Sequence, residues 1–308
     1  MEDSTEELYL FRPARLLGEP SVIAPPESGK ISVSLQFIIP NVHISDAEKG
    51  KYRLLMKNCL SVVWDSDVSN LKNEAGAQAT LVTVAFYVDN QNGDNELHQA
   101  IENKSRILIE RFLGVVSYCC GVKLSGRNIV NTIIDGSNFK AILHMTDRTQ
   151  CPQIKFSIPQ ELIENKVPSD EIFTALFWLR RGLAESDPID TYNAFMVCLQ
   201  ILARDWFKKK YTQNKIPSIS SQFEDYIITE LKGDEDQVIK AWKKRNAIAA
   251  HGNKLNISAD DLLGLTELKF EAANWAYKGI NLALGLDLEK APKPSQNFFV
   301  TDALMNLD

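Results

Sequence analysis

The chain has 308 residues and a hydrophobic content of 44%, which is enough for one large core or two ordinary ones. Its 34 basic and 40 acidic residues give a net charge of -6, which excludes a basic coat for nucleic acid, so any RNA-binding surface must be local. We therefore expect two domains, residues 1–160 and residues 168–286, followed by a C-terminal tail at residues 287–308.

The composition also argues against a membrane protein and against a metal site. No apolar stretch approaches the roughly 18 residues that span a bilayer, and the N-terminus is acidic where a secretory signal is basic and then apolar. The cysteines lack the paired spacing of zinc ligands, so we expect reduced thiols at Cys59, Cys119, Cys120, Cys151 and Cys198. The sequence thus predicts a cytoplasmic protein that uses no metal and no cofactor.

The first half is predicted to be an α+β domain with mostly antiparallel strands. Apolar and polar residues alternate over Lys30–Ile39, and Ala79–Val88 is rich in β-branched and aromatic residues before a turn-forming stretch. Helical spacing over Glu96–Tyr118 predicts one long helix, whereas residues 46–63 are ambiguous. Shorter strands are expected at Ile129–Ile134 and Phe139–His144. This half indicates no chemistry, and we expect it to recognise a trigger or a partner protein.

The second half is predicted to be an all-α antiparallel bundle, because β signals largely vanish after Pro159. Asp187 and Pro188 supply an N-cap and a first-turn proline for one of its helices. We expect helices at Ser169–Ala184, Pro188–Tyr211, Ser220–Lys232, Glu235–His251 and Ser258–Leu284. The fold class is therefore an α+β N-terminal domain followed by an all-α helical bundle.

The end of the predicted helix Glu235–His251 carries the residues best suited to chemistry. Histidine can take or give a proton, and the planar fork of arginine binds phosphate oxygens, so Arg245 and His251 suit RNA cleavage by the neighbouring 2′-hydroxyl without a metal. Asn246 can orient the substrate or the histidine. A histidine in the last turn also faces the negative end of the helix dipole, which favours the imidazolium form.

Ideal helix geometry limits how these two side chains can cooperate. Six steps separate Arg245 from His251, which corresponds to about 9 Å of rise and a divergence of roughly 120° around the axis. A rigid helix therefore keeps the side chains of one chain apart. The pair needs a helix that ends at His251, before Gly252, or a second copy across a two-fold axis.

The same residues carry a resemblance to a known family. Arg245, five intervening residues and His251, with Asn246 after the arginine and Gly252 after the histidine, resemble the Arg-x(4–6)-His motif of HEPN domains (higher eukaryotes and prokaryotes nucleotide-binding). Residues 175–190 and the helix after them resemble the lead-in of bacterial HEPN proteins that carry a preceding α+β module, including some in antiphage defence. The resemblance covers residues 168–286.

This resemblance implies a homodimeric helical bundle in which two Arg-His motifs line one cleft. In active members it implies a metal-independent endoribonuclease that leaves a 2′,3′-cyclic phosphate, with Arg245, His251 and Asn246 as the matching site residues. The family's commoner spacing has four intervening residues. No tyrosine follows His251 at the spacing seen in HEPN toxins that a partner enzyme silences, so that subtype is not expected.

Lysines at two helix ends are candidate RNA contacts. Lys244 directly precedes Arg245, and a second group follows two aromatic residues in the mixture of cations and rings that is typical of RNA-binding surfaces. This second group consists of Lys208, Lys209 and Lys210. The alternative, which we favour, is that these three lysines complement the helix dipole while Trp206 and Phe207 lie in the core.

Three classes of function stay open at this point. The leading hypothesis is a HEPN-type endoribonuclease with RNA as its substrate, acting in antiphage defence. The alternative is a non-catalytic HEPN module for dimerisation or for ligand or RNA binding, with His251 as a structural cap and Arg245 as a surface cation. The third class is a structural subunit of a larger assembly.

Overall fold

The chain divides into two compact units, Met1–Phe112 with Ser125–Ile158 and Leu113–Leu124 with Pro159–Asp308. Within them, the computed structural model describes residues 29–40, 42, 44, 48–51, 63–72, 78–89, 94–121, 128–134, 137–139, 162, 168–184, 187–211, 217–251 and 259–294. All structural statements below refer to these residues.

The first unit contains a five-stranded antiparallel sheet with the strand order β2-β3-β1-β4-β5. The strands are β1 (Lys30–Pro40), β2 (Val63–Lys72), β3 (Gln78–Asp89), β4 (Asn128–Ile134) and β5 (Ser137–Phe139). The predictions for β1, β3 and β4 are confirmed to within one residue at each end. Strand β5 precedes the predicted run Phe139–His144, of which only Phe139 lies inside the described residues.

Strand β2 was not predicted, since residues 46–63 were ambiguous and the stretch beyond them carried no strand signal. Its sequence, VWDSDVSNLK, contains two aspartates and no sustained alternation of apolar and polar residues. An edge strand is hydrogen-bonded on one side only and tolerates such charges, which protect the free edge. Pairing with β3, from Val63 opposite Phe86 to Lys72 opposite Gln78, therefore determines the strand.

Helix α1 (Asp94–Cys120) confirms the long helix predicted over Glu96–Tyr118. Its buried residues in the first unit recur at helical spacing and include Ile101, Leu108 and Phe112. The Phe112 ring meets Phe37 of β1 edge-on, with 5.9 Å between ring centroids. This part of α1 closes the core of the first unit against the central strand.

The last two turns of α1 belong to the second unit. Tyr118 stacks on Tyr277 with ring centroids 5.5 Å apart, and its hydroxyl donates a hydrogen bond to the Asn281 side chain. Gly114 lies close to Leu176, because a Cβ at this position would be 3.3 Å from the Leu176 Cβ. The second unit therefore includes a helical segment that the sequence had placed in the first domain.

The rest of the second unit is helical, as the sequence predicted. Its helices are α2 (Asp170–Ala184), α3 (Pro188–Lys210), α4 (Ile219–Asp225), α5 (Glu235–His251) and α6 (Ala259–Ala283). A π-helical segment, Tyr226–Glu230, continues α4, so the single α-helix predicted over Ser220–Lys232 is two consecutive elements. None of the helices in the described ranges combines the length and the apolar character needed to cross a bilayer.

Helix α3 is the central helix of this unit and packs most extensively against α2 and α6. As predicted, Asp187 caps it: the carboxylate accepts hydrogen bonds from the Ile189 and Asp190 backbone N–H groups at 2.7 and 3.2 Å, and Pro188 follows the cap. Fully buried residues such as Tyr192, Phe195 and Cys198 lie along its length. Helices α2 and α6 are positioned by their contacts with this element, whereas α5 contacts α3, α4, the π-helical segment and α6 about equally.

Gly182 permits the close packing of α2 on α3, and replacing it tests that contact. A Cβ at Gly182 would lie 2.6 Å from the Phe195 ring, which is fully buried and has no room to move. We expect Gly182→Ala to lower the free energy of unfolding by about 1–3 kcal/mol, measured by urea denaturation, because it overpacks this contact.

Gly264 of α6 provides the matched control, since a Cβ there meets nothing within 4 Å. We expect Gly264→Ala to be neutral or to stabilise the protein by up to about 1 kcal/mol, as alanine favours a helix interior. Equal effects of the two substitutions would contradict the packing assigned to Gly182.

Candidate functional site

Burial along α5 changes sharply at Ala241. Val238 and Ala241 are fully buried, whereas every residue from Trp242 to Ile248 is partly or fully exposed. Ala241 is thus the last described side chain of α5 that packs completely into the bundle. The turns that carry Arg245 and Asn246 lie at the surface of the second unit.

Tyr192 of α3 fixes the turn that precedes Arg245. Its hydroxyl donates a hydrogen bond to the Ala241 carbonyl oxygen at 2.6 Å, in a buried environment. In an α-helix this carbonyl also accepts from the N–H of the fourth following residue, Arg245, and a carbonyl oxygen has two lone pairs for the two bonds. The backbone at Arg245 is therefore tied to the central helix through one shared acceptor.

Burial determines the protonation state of Tyr192. It raises the pKa of the Tyr192 hydroxyl well above its usual range, and the positive charge of Arg245 acts in the opposite direction. Tyr192 itself is neutral at physiological pH and can only position its neighbours.

The Arg245 guanidinium contacts two side chains of its own helix. It lies over the Trp242 ring, with its Cζ atom 5.4 Å from the ring centroid, and it donates a hydrogen bond of 3.1 Å to the Asn246 side-chain oxygen. Trp242 in turn contacts the fully buried Phe223 of α4, with ring centroids 4.9 Å apart. A half-exposed cation is thereby supported on an aromatic pair that extends into the core.

His251 is the last residue of α5, and its side chain lies outside the described part of the structure, as does Gly252. Because α5 is helical up to His251, the backbone positions of Arg245 and His251 are about 9 Å apart along the helix axis and diverge by roughly 120°. One copy of the helix therefore presents the two residues in different directions.

The lysines at the end of α3 lie far from Arg245. The Tyr192 hydroxyl bonds the Ala241 carbonyl, one turn before Arg245. The 16 residues from Tyr192 to Lys208 correspond to about 24 Å along the axis of α3. The structure therefore separates the predicted lysines into two locations, Lys244 beside Arg245 and the group Lys208, Lys209 and Lys210 at the opposite end of α3.

Two of these three lysines already pair with carboxylates. Lys209 lies 2.5 Å from Asp205, one turn earlier, and Lys210 lies 2.8 Å from Glu230, with its ammonium group over the Trp206 ring at 4.6 Å. The hydrogen bond to Glu230 raises the pKa of Lys210. Lys208 is exposed. These contacts hold the lysine charges at the C-terminus of α3, where the negative end of the helix dipole favours cations.

Trp242 and Tyr192 belong to the site although the motif does not contain them. Trp242 stands three residues before Arg245, and residues at this spacing lie on the same helix face, so the sequence does hold a signal for their contact. Tyr192 is 49 residues from Ala241. No local pattern reports such a distant hydrogen bond, and only the packing of α5 on α3 shows it.

Comparison of the chain with protein-family models, with curated proteins and with solved structures finds no match.

Replacing Tyr192 by phenylalanine removes one buried hydrogen bond while keeping the ring. We expect Tyr192→Phe to lower the free energy of unfolding by about 1 kcal/mol at neutral pH, because the Ala241 carbonyl keeps its helical partner. The measurement is urea denaturation.

The pH dependence of the same comparison is a further test, because the raised pKa of Tyr192 favours the neutral form in the folded state. The stability that the neutral Tyr192 hydroxyl contributes is fully present below the tyrosine pKa of the unfolded chain, which is about 10. It is lost as the pH rises above that value, because the hydroxyl then ionises in the unfolded chain before it does in the folded one. The difference between wild type and Tyr192→Phe should shrink above that pH by up to about 1.4 kcal/mol per pH unit. If the free energies of unfolding of the two proteins changed in parallel with pH, Tyr192 would not be buried as described.

Proposed function

We propose that the second unit is a HEPN-type helical bundle and that the protein is a metal-independent endoribonuclease. The observation that carries the proposal is the position of Arg245: its guanidinium is half-exposed and supported by an aromatic ring, just beyond the last fully buried turn of α5. A guanidinium held in this way keeps its N–H groups available for phosphate oxygens.

The reaction uses the RNA's own 2′-hydroxyl as the nucleophile. Its oxygen attacks the adjacent phosphorus, the bond to the 5′-oxygen of the next nucleotide breaks, and a 2′,3′-cyclic phosphate remains. His251 accepts the proton that the 2′-hydroxyl loses, and a proton passes to the departing 5′-oxygen, which leaves as a hydroxyl. Arg245 stabilises the charge that develops on the non-bridging oxygens. Asn246 holds one edge of the guanidinium, which orients it.

Two copies of the chain are required in this proposal. Arg245 and His251 of one α5 diverge by roughly 120°, so a second α5 across a two-fold axis supplies the complementary residue at each position. The surface turns beyond Ala241 are the part of α5 that is accessible for such pairing. Lys244 adjoins Arg245 and contacts the neighbouring backbone of the RNA.

The roles of the other regions follow from this arrangement. The α+β unit recognises a trigger or a partner protein and thereby raises cleavage above the basal rate of the protein alone, as expected of an effector in antiphage defence. The three lysines lie at the end of α3, and Lys208 is about 24 Å along the helix axis from Tyr192, so any contact that they make with RNA is with a distant part of the substrate.

The proposal predicts RNA cleavage that survives a chelator and depends on two residues. Purified protein incubated with labelled single-stranded RNA in EDTA should cleave it, while His251→Ala should slow cleavage by about 100-fold to 10,000-fold through loss of proton transfer. We expect Arg245→Ala to slow it by about 100-fold to 1,000-fold through loss of charge stabilisation.

Lys240→Ala is the matched control, because Lys240 is an exposed cation on the same helix and its removal changes the net charge equally. It should cleave at the wild-type rate. Cleavage that needs a divalent metal, or that both Arg245→Ala and His251→Ala retain in full, would contradict the proposal. RNA binding without any cleavage would favour the non-catalytic module.

A further inference from the structure

The Trp242 side chain lies between the core of the second unit and the Arg245 guanidinium. Its ring contacts Phe223, which is completely buried, and lies beneath the guanidinium at 5.4 Å. The backbone next to it is fixed because the Tyr192 hydroxyl bonds the Ala241 carbonyl. The indole is thus held from two directions, by a core ring and by the backbone of its own turn.

A free arginine side chain at the surface samples many rotamers, and these must be restricted before it can stabilise the charge that develops on phosphate in the transition state. Within the described residues, the side chains that hold the guanidinium are Trp242 and Asn246. Asn246 is exposed, so water competes for its hydrogen bond. The half-buried indole is partly shielded from water, and a cation over an aromatic ring is stabilised more strongly where solvent is excluded.

The type of contact also matters for substrate binding. A carboxylate partner would occupy the N–H groups on the edge of the guanidinium, and phosphate would have to displace it. An aromatic ring contacts the face of the guanidinium and leaves those edge groups free. Trp242 can therefore fix the direction of Arg245 without competing with the substrate.

From this arrangement we infer that Trp242 is a positioning residue, which holds the Arg245 guanidinium in the orientation that stabilises the developing charge on phosphate. The inference rests on the proposed ribonuclease function. Trp242 touches neither the RNA nor the reacting atoms and acts through Arg245. It lies outside the Arg-His motif, at the position three residues before the arginine.

The test compares Trp242→Leu with Trp242→Phe in steady-state RNA cleavage at several RNA concentrations. Loss of the ring should lower kcat by about 10-fold to 100-fold with little change in KM, because small misplacements of a transition-state contact have effects of this size. The phenyl ring of Trp242→Phe still supports a cation and should restore most of the rate. In the Arg245→Gln background, Trp242→Leu should cause no further loss.

The chain offers a matched control in α2. Trp178 carries the Arg181 guanidinium over its ring at 5.2 Å, at the same spacing of three residues. Trp178→Leu removes an equivalent stacked pair from the same unit and should leave both kcat and KM unchanged. Urea denaturation of all variants shows whether the folded population is the same at the assay temperature.

Four outcomes would overturn the inference. One is a wild-type kcat in Trp242→Leu while Arg245→Gln remains impaired, which leaves the proposed function intact. Another is a change confined to KM, which would indicate that the indole stacks on an RNA base. A third is an equal loss in Trp178→Leu, which would indicate a general effect on the bundle. Absence of cleavage by the wild type would overturn the proposed function and this inference with it.

Discussion

The hydrogen bond between the Tyr192 hydroxyl and the Ala241 carbonyl is the contact on which the rest of the site depends. It joins the central helix α3 to the last fully buried turn of α5, and it does so through the same carbonyl that the Arg245 N–H uses. Burial anchors α5 up to this point, and the residues from Trp242 to Ile248 lie at the surface. The last fully buried residue, Ala241, therefore lies four residues before Arg245. The backbone of Arg245 is fixed by this turn, and the Arg245 side chain reaches solvent.

This arrangement lets the Arg245 guanidinium be both exposed to solvent and held in one orientation. A group that stabilises a transition state must be preorganised, yet a solvated arginine has little to organise it. Stacking on Trp242, which Phe223 supports from the core, supplies the order without occupying the edge of the guanidinium. The same helix continues to His251. In the proposed mechanism, proton transfer and charge stabilisation come from residues that cooperate across two copies of the chain.

The sequence predicts the regular elements well because their signals are local. Alternation in β1 and helical spacing in α5 gave bounds within a residue of those observed, and Asp187 marked the cap of α3. The sequence does not predict strand β2, which pairing with β3 determines. It predicts the last turns of α1 as helix but not their packing on Tyr277 in the second unit. The site shows the same difference between local and distant signals. The motif indicates Arg245 from the sequence alone, whereas Tyr192 acts through a hydrogen bond to Ala241, which is 49 residues away in the sequence.

The central claim is that the 2′-hydroxyl of the RNA is the nucleophile in a metal-independent cleavage. The most direct test uses RNA in which this hydroxyl is replaced by hydrogen at one of the nucleotides where the wild type cuts. The account predicts that cleavage at this nucleotide disappears in the presence of EDTA and that cuts elsewhere persist and end in a 2′,3′-cyclic phosphate. Undiminished cleavage at the substituted nucleotide would contradict it, because another nucleophile would then be at work.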